Sequence, residues 1–415
     1  MPVLTGGLIA ALAVQNAVPP FATDMYTPAF PRVTADLSTT ASMVGLTLTA
    51  FFVGLGLGQL LGGPVSDHRG RRVPLLVGGV LCTLGAVGCA LAPHIGVLVA
   101  FRLLQGFGGG VAAVVGRAVL VDLATGAALA RALSILMALG GLAPMIAPVL
   151  GAGVLTAGGT WRTVLWCLVG FGLVMVLSSA VAIPETLPPG RRHAGGLRTF
   201  RRGVFGLVRN RLFLGYLLVG GLSGFSLLAY VASSTYVLQE MKGMAPLTFA
   251  AFFASTALAQ VLLSVLNARL VGRVPVRRMI GIGLALSSLA VTTLVLAVGV
   301  FDLQIVLVCA GFLLLMAVQA FIYGNSSALA ASQAPAQAGV ASALIGVVQA
   351  VSWGTAAPLS TIGGGHTAVP MLLVMVFGVV GSAAAFLLLT HARPSDQAEQ
   401  PSPAAPLDAT DPRTT

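Results

Sequence analysis

The chain has 415 residues, of which 57% are hydrophobic and only 8% are charged, and its mean hydropathy is +0.98. A soluble domain carries about a quarter charged residues, so this composition excludes an ordinary soluble protein. The formal net charge of +11 does not indicate nucleic-acid binding, because the arginines collect in a few short loops between apolar runs. These runs are roughly twenty residues long, the length of a helix that crosses a bilayer.

Twelve apolar segments follow one another along the chain. Each is predicted to be a helix, because backbone groups in lipid must find their hydrogen-bond partners within the segment. The segments cover residues 4–29, 42–62, 73–92, 95–121, 129–157, 162–184, 211–238, 247–268, 277–299, 303–325, 339–360 and 367–390. The first is not expected to be a cleaved signal, since it lacks a basic leader and continues into a long span. The predicted fold class is an all-α polytopic membrane protein.

The basic residues predict how these segments are oriented. If the amino terminus is cytoplasmic, 17 of the 22 lysines and arginines fall in cytoplasmic loops and tails. Only Arg32, Arg162 and Lys242 then lie outside. Such an excess on the cytoplasmic side is typical of membrane proteins. We therefore expect both termini in the cytoplasm.

The longest polar connection, residues 185–210, separates two sets of six spans. It is rich in arginine and is predicted to be a cytoplasmic tether, with binding to anionic lipid headgroups as the alternative. The predicted domains are thus 1–184, this linker and 211–390. The remaining residues, 391–415, are rich in Pro, Ala and Asp, and they are predicted to be a disordered cytoplasmic tail.

A weak internal repeat supports the division into halves. Gly70-Arg71-Arg72 follows the second span, and Val276-Arg277-Arg278 follows the eighth in a similar place. The acid that precedes the first copy is missing from the second. Two repeats packed around a central cavity are a common plan for transporters.

Asp24 is the one acid that the sequence places well inside a span. A charge at that depth usually faces a cavity or a partner, and burial favours the protonated form of a carboxyl group. The flanking Pro19, Pro20 and Pro28 are predicted to break or bend this first helix. Arg102 is predicted at a similar depth, which permits it to approach Asp24. The alternatives are an acid at the wet outer rim and an arginine that reaches the headgroups.

Glycine and proline spacing indicates where helices pack closely or bend. The small residues that recur every four positions are Gly54, Gly58 and Gly62 in span two, and Gly346, Ala350 and Gly354 in span eleven. Such faces let helices approach one another closely. In span five, Pro144 and Pro148 lie one turn apart between Gly140 and Gly151, which predicts a bent helix.

Enzymatic and metal chemistry are not predicted. None of the five histidines is predicted inside a span, and no acid pair, metal-ligand spacing or Walker motif occurs. The four cysteines lie in apolar spans without a CxxC pair, which favours simple packing. No enzyme activity, cofactor, metal or nucleic-acid partner is therefore expected.

The loop GGPVSDHRGRR, the segment FRLLQGFGGG with RAVLVDL, and the proline-rich GGLAPMIAPVLGAG resemble three signatures of one family. They are similar to the major facilitator superfamily, and to its twelve-span drug/proton antiporters of the Bcr/CflA type. DMYTPAFP in the first span is similar to a stretch of that subgroup. Most matches lie in the first half of the chain. His68 departs from the first signature, where arginine is common.

This resemblance implies two six-helix bundles around a central cavity and roles for particular residues. Asp24 is implied as the proton-binding carboxylate and Arg102 as its coupling partner. The implied conformational charge cluster consists of Asp67, Arg71, Arg72 and Asp122, and the implied helix pivot of Gly140, Pro144, Pro148 and Gly151. Some relatives carry a second acid near the position of Asn16, which is neutral here and leaves one carboxylate for coupling.

The resemblance also implies a proton-coupled exporter of amphipathic antibiotics, such as the amphenicols, in a bacterial inner membrane. The candidate substrate-lining residues are Asn16, Tyr26, Gln105, Tyr230, Gln319 and Trp353, with ordinary packing as the alternative for each. The expected partners are a small-molecule substrate, protons and the lipid bilayer, and the chain is expected to be a monomer. Export of a self-made metabolite, proton-coupled uptake and a non-transporting membrane sensor are the alternatives.

Overall fold

The computed structural model describes residues 6–123, 142–188, 204–334 and 338–390. Within these ranges the chain is helical apart from turns and one isolated β-bridge between Val271 and Val274. The predicted tail, most of the predicted linker and Gly140 lie outside the described residues.

The helices are numbered in chain order. In the first half they are α1 (Gly6–Asp24), α2 (Phe30–Asp36), α3 (Ala41–Arg69), α4 (Arg72–Ala90), α5 (Ile95–Leu123), α6 (Leu142–Thr156) and α7 (Trp161–Ala182). In the second half they are α8 (204–209), α9 (Arg211–Thr235), α10 (Pro246–Leu270), α11 (Val276–Gly299), α12 (Ile305–Ser332), α13 (Ala338–Ser360) and α14 (Val369–Leu389). A 3-10 turn over Thr27–Ala29 joins α1 to α2, and a π-helix over Tyr236–Met241 extends α9.

Ten of the described helices are long and apolar enough to cross a membrane. Helices α1 and α6 occupy the places of the first and fifth predicted spans. Bundle 1 contains α1 to α7, in which α5 packs against α1, α3 and α4. Bundle 2 contains α9 to α14, in which α9 packs against α12, α13 and α14. The bundles meet along α3 and α13, and this architecture confirms the predicted all-α fold class.

The first predicted span is not a single helix. Helix α1 continues through Pro19 and Pro20 and ends at Asp24, so these two prolines do not break it, and a bend at them stays a prediction. Proline fixes φ at a helical value and costs backbone hydrogen bonds, and packing of α1 against α5 and α7 compensates for that loss. The chain leaves the helix only after Asp24, and Pro28 follows within the 3-10 turn.

Helix α3 packs more tightly inside its own bundle than across the boundary between bundles. A Cβ atom on Gly58 would lie 2.1 Å from the backbone oxygen of Phe107 in α5, so no side chain fits there. On the other face of α3, a Cβ atom on Gly354 of α13 would stay 3.3 Å from the Thr49 Cγ2 atom. The predicted glycine face of the second span therefore joins α3 to α5.

The two ends of the molecule differ in charge. We call the end with the α3–α4 and α10–α11 turns the basic end, since the arginines near these turns are Arg69, Arg71, Arg72, Arg269, Arg273, Arg277 and Arg278. At the opposite end the bundles are in contact. The Thr34 and Tyr236 hydroxyl oxygens lie 2.9 Å apart, and the Ser42 hydroxyl donates to the Pro358 carbonyl at 3.0 Å.

Candidate functional site

Asp24 is the last residue of α1 and is 8% exposed. Among the acids in the described part of the chain, Asp24 is buried, and the others are exposed. The 3-10 turn that follows it contacts α9 and α10 of bundle 2. Tyr230 of α9 lies within electrostatic range of the Asp24 carboxyl group. The break in the first span thus places a buried acid at the boundary between the bundles.

The Thr23 hydroxyl lies between the Asp24 carboxyl group and the Pro19 carbonyl, and it can donate to either. The Thr23 hydroxyl oxygen lies 2.8 Å from the Pro19 carbonyl oxygen and 2.8 Å from Asp24 Oδ1. A hydroxyl has one proton, and a carbonyl oxygen can only accept. When Thr23 donates to Pro19, the contact with Asp24 becomes a hydrogen bond only if Asp24 carries the proton. When Thr23 instead donates to Asp24 Oδ1, the contact suits an ionised carboxylate.

Arg102 binds the end of α1 and does not bind the Asp24 carboxylate. Its Nη1 atom donates to the Ala22 carbonyl at 2.8 Å and to Gln105 Oε1 at 3.0 Å. Ala22 lies in the last turn of α1, where carbonyls lack a helical partner and a cation is favourable. The guanidinium also lies over the Tyr26 ring, with Cζ 4.2 Å from the ring centroid.

The Arg102 side chain is fully buried, and its hydrogen bonds are incomplete. Nε and Nη2 have no hydrogen-bond partner in the described residues. No ion pair joins Arg102 to Asp24 within those ranges. The direct coupling between the two charges therefore stays a prediction, although Arg102 holds the carbonyl two residues before Asp24.

The structure brings three members of the predicted charge cluster together at the basic end. Arg71 Nη1 lies 2.5 Å from Asp67 Oδ1, and Arg71 Nε lies 2.8 Å from Asp122 Oδ2. The Arg71 side chain is 9% exposed, and it also donates to the Ser66 hydroxyl at 2.8 Å. Arg72 points elsewhere and donates to the Ala180 carbonyl at 2.9 Å.

Glu185 joins this cluster, and the sequence predicts no role for it. Its Oε1 atom accepts from the backbone N–H of Arg71 at 2.8 Å, and its Oε2 atom accepts from that of Arg72 at 3.3 Å. These N–H groups lie at the start of α4, where a carboxylate is favourable. The neighbouring Thr186 donates to Asp122 Oδ2 at 2.9 Å. The sequence signal that could have identified Glu185 was its position just after α7, at the same end of the molecule as the arginine loop.

The predicted pivot lies beside the break in the first span. Pro144 and Pro148 are both within the described part of α6. A Cβ atom on Gly151 would lie 2.0 Å from the backbone oxygen of Met25, so only glycine fits at this contact. The backbone of α6 therefore touches the residue that follows Asp24. Gly140 is outside the described residues.

The candidate lining residues of bundle 1 surround α1. Tyr26 is buried beneath Arg102, and Gln105 accepts a hydrogen bond from that arginine. Asn16 lies two turns before Asp24 and is half-buried. Tyr26 and Gln105 therefore share a contact with Arg102, which binds the last turn of α1.

The candidate lining residues of bundle 2 do not form one group. The Tyr230 hydroxyl lies 2.9 Å from that of Thr256, within an aromatic cluster near Asp24. Gln319 accepts a hydrogen bond from Ser223 at 2.6 Å inside bundle 2. Trp353 packs its ring edge-to-face with Phe52 of bundle 1, with centroids 4.9 Å apart.

Two helix bundles that meet along long helices, with a buried acid beside a broken helix at their boundary, have the architecture of a membrane transporter. Residues 12–358 match the model of the Major Facilitator Superfamily. The chain belongs to this superfamily and is a multi-pass membrane transporter.

Curated relatives cover most of the chain. An "Uncharacterized MFS-type transporter YdgK" of Bacillus subtilis (strain 168) is 35% identical over 382 residues, which is 92% of this chain and 93% of the relative. A "Bicyclomycin resistance protein homolog" of Haemophilus influenzae is 30% identical over 92% of this chain and 96% of the relative. A "Multidrug resistance protein MdtL" of Escherichia fergusonii is 28% identical over 80% of this chain and 82% of the relative.

Solved structures share the fold at low sequence identity. A bacterial homolog of the human lysosomal transporter Spinster, in an inward-facing conformation, has a TM-score of 0.73 at 15% identity, over 92% of this chain and 96% of that one. A D-xylose-proton symporter has a TM-score of 0.69 at 16% identity, over 91% and 96%. These similarities support the fold and not the substrate.

Proposed function

We propose that the chain exports amphipathic antibiotics in exchange for protons, by alternating access in a bacterial inner membrane. The observation that carries the proposal is the position of Asp24, a buried acid at the end of a broken helix between the bundles. Relatives named for bicyclomycin and multidrug resistance support drugs as the substrate class. The arginine-rich basic end supports a cytoplasmic placement of that end.

In the proposed cycle, a proton and the substrate compete for the region around Asp24. The proton enters from outside, and Asp24 then donates to Thr23. Substrate that enters from the cytoplasm favours loss of this proton. The ionised carboxylate attracts Arg102, which has two buried N–H groups without partners in the described residues. Because Arg102 holds the last turn of α1, its movement would reach the 3-10 turn and α2.

The other predicted residues act on conformation in this proposal. The ion pairs of Arg71 with Asp67 and Asp122 hold the basic end of bundle 1 in one state. Helix α6 bends at Pro144 and Pro148 and transmits movement of the break, since its backbone touches Met25. One proton that crosses a membrane potential of 100 mV supplies about 2.3 kcal/mol. Without a pH gradient, this is the free energy available to export one substrate molecule if Asp24 carries one proton per cycle.

A susceptibility panel in an efflux-deficient bacterium tests the proposal. Wild type and Asp24→Asn are expressed at equal membrane levels and challenged with amphenicols and other amphipathic antibiotics. The matched control is Asp302→Asn, which removes an acid from an exposed turn at the opposite end. Asp302 has a positive φ of 46°. Asparagine tolerates this backbone conformation well, so the control variant should fold.

We expect wild type and Asp302→Asn to raise tolerance to the same compounds, and Asp24→Asn to give none. Equal protection by all three proteins would contradict the role of Asp24 but would still support drug export. Protection by none would contradict drug export itself.

A further inference from the structure

We propose that the junction between α8 and α9 binds the anionic headgroup of a phospholipid at the basic end of bundle 2. The residues that would hold the lipid phosphate are Arg209 and Arg211, which flank Asn210, the residue before α9. The site lies apart from Asp24. The inference depends neither on drug export nor on proton coupling.

Contacts with neutral groups position the two arginines. Arg211 Nη2 donates to the Leu388 carbonyl, which lies in the last turn of α14, where carbonyls lack a helical partner. The Arg209 guanidinium lies over the Phe205 ring, with Cζ 4.3 Å from the ring centroid. An arginine has five N–H donors, so these contacts leave donors on both side chains that can bind a phosphate.

The positive charge at this end of bundle 2 is not balanced by acids of the same bundle in the described residues. Glu240 and Asp302, the described acids of bundle 2, lie toward the opposite end. Arg277 of α11 adds a further cation beside α14, over the Phe386 ring. Helix α9 begins at Arg211, so the positive end of its dipole lies at the same junction. Together these charges favour an anion.

Apolar surface for acyl chains adjoins the arginines. Helix α8 buries Leu207 in the apolar core of bundle 2, and its Phe205 and Val208 side chains are exposed. On α14, exposed apolar side chains recur at intervals of about one or two turns, and they are Leu373, Phe377, Val380 and Leu387. This apolar face ends beside Leu388, whose carbonyl binds Arg211. A headgroup at the arginines would therefore leave the acyl chains along α14.

This arrangement selects among compounds that carry a phosphate. Arginine binds phosphate oxygens through parallel N–H groups, and its positive charge repels the ammonium group of a zwitterionic headgroup. Inorganic phosphate has no acyl chain that could contact the apolar face of α14. The fitting ligand is therefore a phospholipid whose headgroup carries a net negative charge. Basic pockets between membrane helices bind such headgroups in other proteins.

Native mass spectrometry of the full chain in detergent tests the site, because it counts bound lipids and gives the affinity of the first one. The probes are phosphatidylglycerol, which is anionic, and phosphatidylcholine, which is zwitterionic, with the same acyl chains. The test variant is Arg209→Gln with Arg211→Gln. The matched control, Arg269→Gln with Arg273→Gln, removes two exposed positive charges from the α10–α11 turn at the same end.

We expect wild type and the control to bind phosphatidylglycerol more tightly than phosphatidylcholine. The test variant should lose about 30-fold in affinity for phosphatidylglycerol, since each arginine near a bilayer surface contributes about 5-fold toward anionic lipid. Its affinity for phosphatidylcholine should not change. Arg209→Lys with Arg211→Lys should keep the preference for phosphatidylglycerol, because lysine still binds phosphate as a point charge.

Equal affinity of wild type for the two lipids, or an equal loss in the test variant and the control, would overturn the proposal. Displacement of phosphatidylglycerol by an equal concentration of inorganic phosphate would also contradict it, because the site would then bind a free anion. If the double variant does not fold, Arg209→Gln alone provides the test, since Arg209 is exposed. An unchanged affinity for phosphatidylglycerol in that variant would equally reject the site.

Discussion

The two bundles fix equivalent parts of their structure with different chemistry. In bundle 1, the arginine after α3 is held by the carboxylates of Asp67 and Asp122. In bundle 2, the corresponding Arg277 lies over the Phe386 ring, with Cζ 4.8 Å from its centroid. The described acids of bundle 2, Glu240 and Asp302, both lie toward the opposite end.

Inside bundle 2, helices are joined by neutral polar groups. Asn267 of α10 and Asn325 of α12 exchange amide hydrogen bonds at 2.7 and 3.3 Å. A repeated fold therefore does not imply a repeated chemistry. The ion pairs of the described residues all lie in bundle 1, whereas these contacts of bundle 2 are aromatic or neutral.

The largest expected effect comes from the tight seam inside bundle 1. Gly58→Ala would place a methyl group 2.1 Å from the Phe107 oxygen, which forces α3 and α5 apart. We expect a loss of about 3 kcal/mol or more in the free energy of unfolding, at the upper end for overpacking. Gly170→Ala is the matched control in α7, since no atom lies within 4 Å of its added Cβ. Thermal unfolding in detergent measures both, and equal melting temperatures would contradict the close packing of α3 on α5.

The next-largest effect is expected at the two equivalent arginines, Arg71 and Arg277. Arg71→Ala leaves Asp67 and Asp122 without their partner and should cost about 2 kcal/mol, between the values for exposed and buried pairs. Arg277→Ala removes a cation–π contact with Phe386 and an interaction with Tyr216, neither of them with a charged partner, and should cost about 1 kcal/mol. The larger loss for Arg71, and its dependence on salt, can be read from unfolding at low and high ionic strength. A larger loss for Arg277 would reverse the assignment of charge chemistry to bundle 1.

The smallest effect is a pH dependence at the opposite end of bundle 1. The indole N–H of Trp161 and the guanidinium of Arg162 both donate to Asp36, and they lower the pKa of that carboxyl group. Because the pKa of Asp36 is lowered, these contacts stabilise the fold at pH values above the ordinary pKa of aspartate, about 4. This stabilisation is lost as the pH falls through the lowered pKa of Asp36. The size is under about 1 kcal/mol, since half of the Asp36 side chain is exposed.

Asp36→Asn should therefore lower the melting temperature slightly at pH 7 and remove part of the decrease between pH 5 and pH 3. The same acid-induced decrease in wild type and variant would show that the contact with Trp161 and Arg162 does not stabilise the ionised carboxyl.

Most of the fold could be predicted because apolar length and basic loops are properties of the sequence itself. The second to fourth spans, predicted at 42–62, 73–92 and 95–121, correspond to α3, α4 and α5. The structure extends α3 to Arg69, beyond the apolar run, because Ser66 and Asp67 bond Arg71 at its end. Helix ends depend on such contacts, which hydropathy does not contain.

The site was harder to predict than the fold. Sequence depth placed Asp24 and Arg102 at one level, but depth does not say that Arg102 would bind the Ala22 carbonyl. The prolines before Asp24 suggested a break or a bend, yet α1 continues through Pro19 and Pro20 and ends only at Asp24. Tyr323 and Trp353 lie on different helices and share no motif, so their contact appears only in three dimensions.

The most direct test of the account measures protons released when substrate binds. Purified wild type is placed in weakly buffered detergent solution with a pH indicator, and a substrate identified by the susceptibility panel is added. We expect release of about one proton per chain from wild type and from Asp302→Asn, because substrate and proton compete at Asp24, and none from Asp24→Asn. Release that is unchanged in Asp24→Asn, or absent from wild type that binds the substrate, would contradict proton coupling through Asp24.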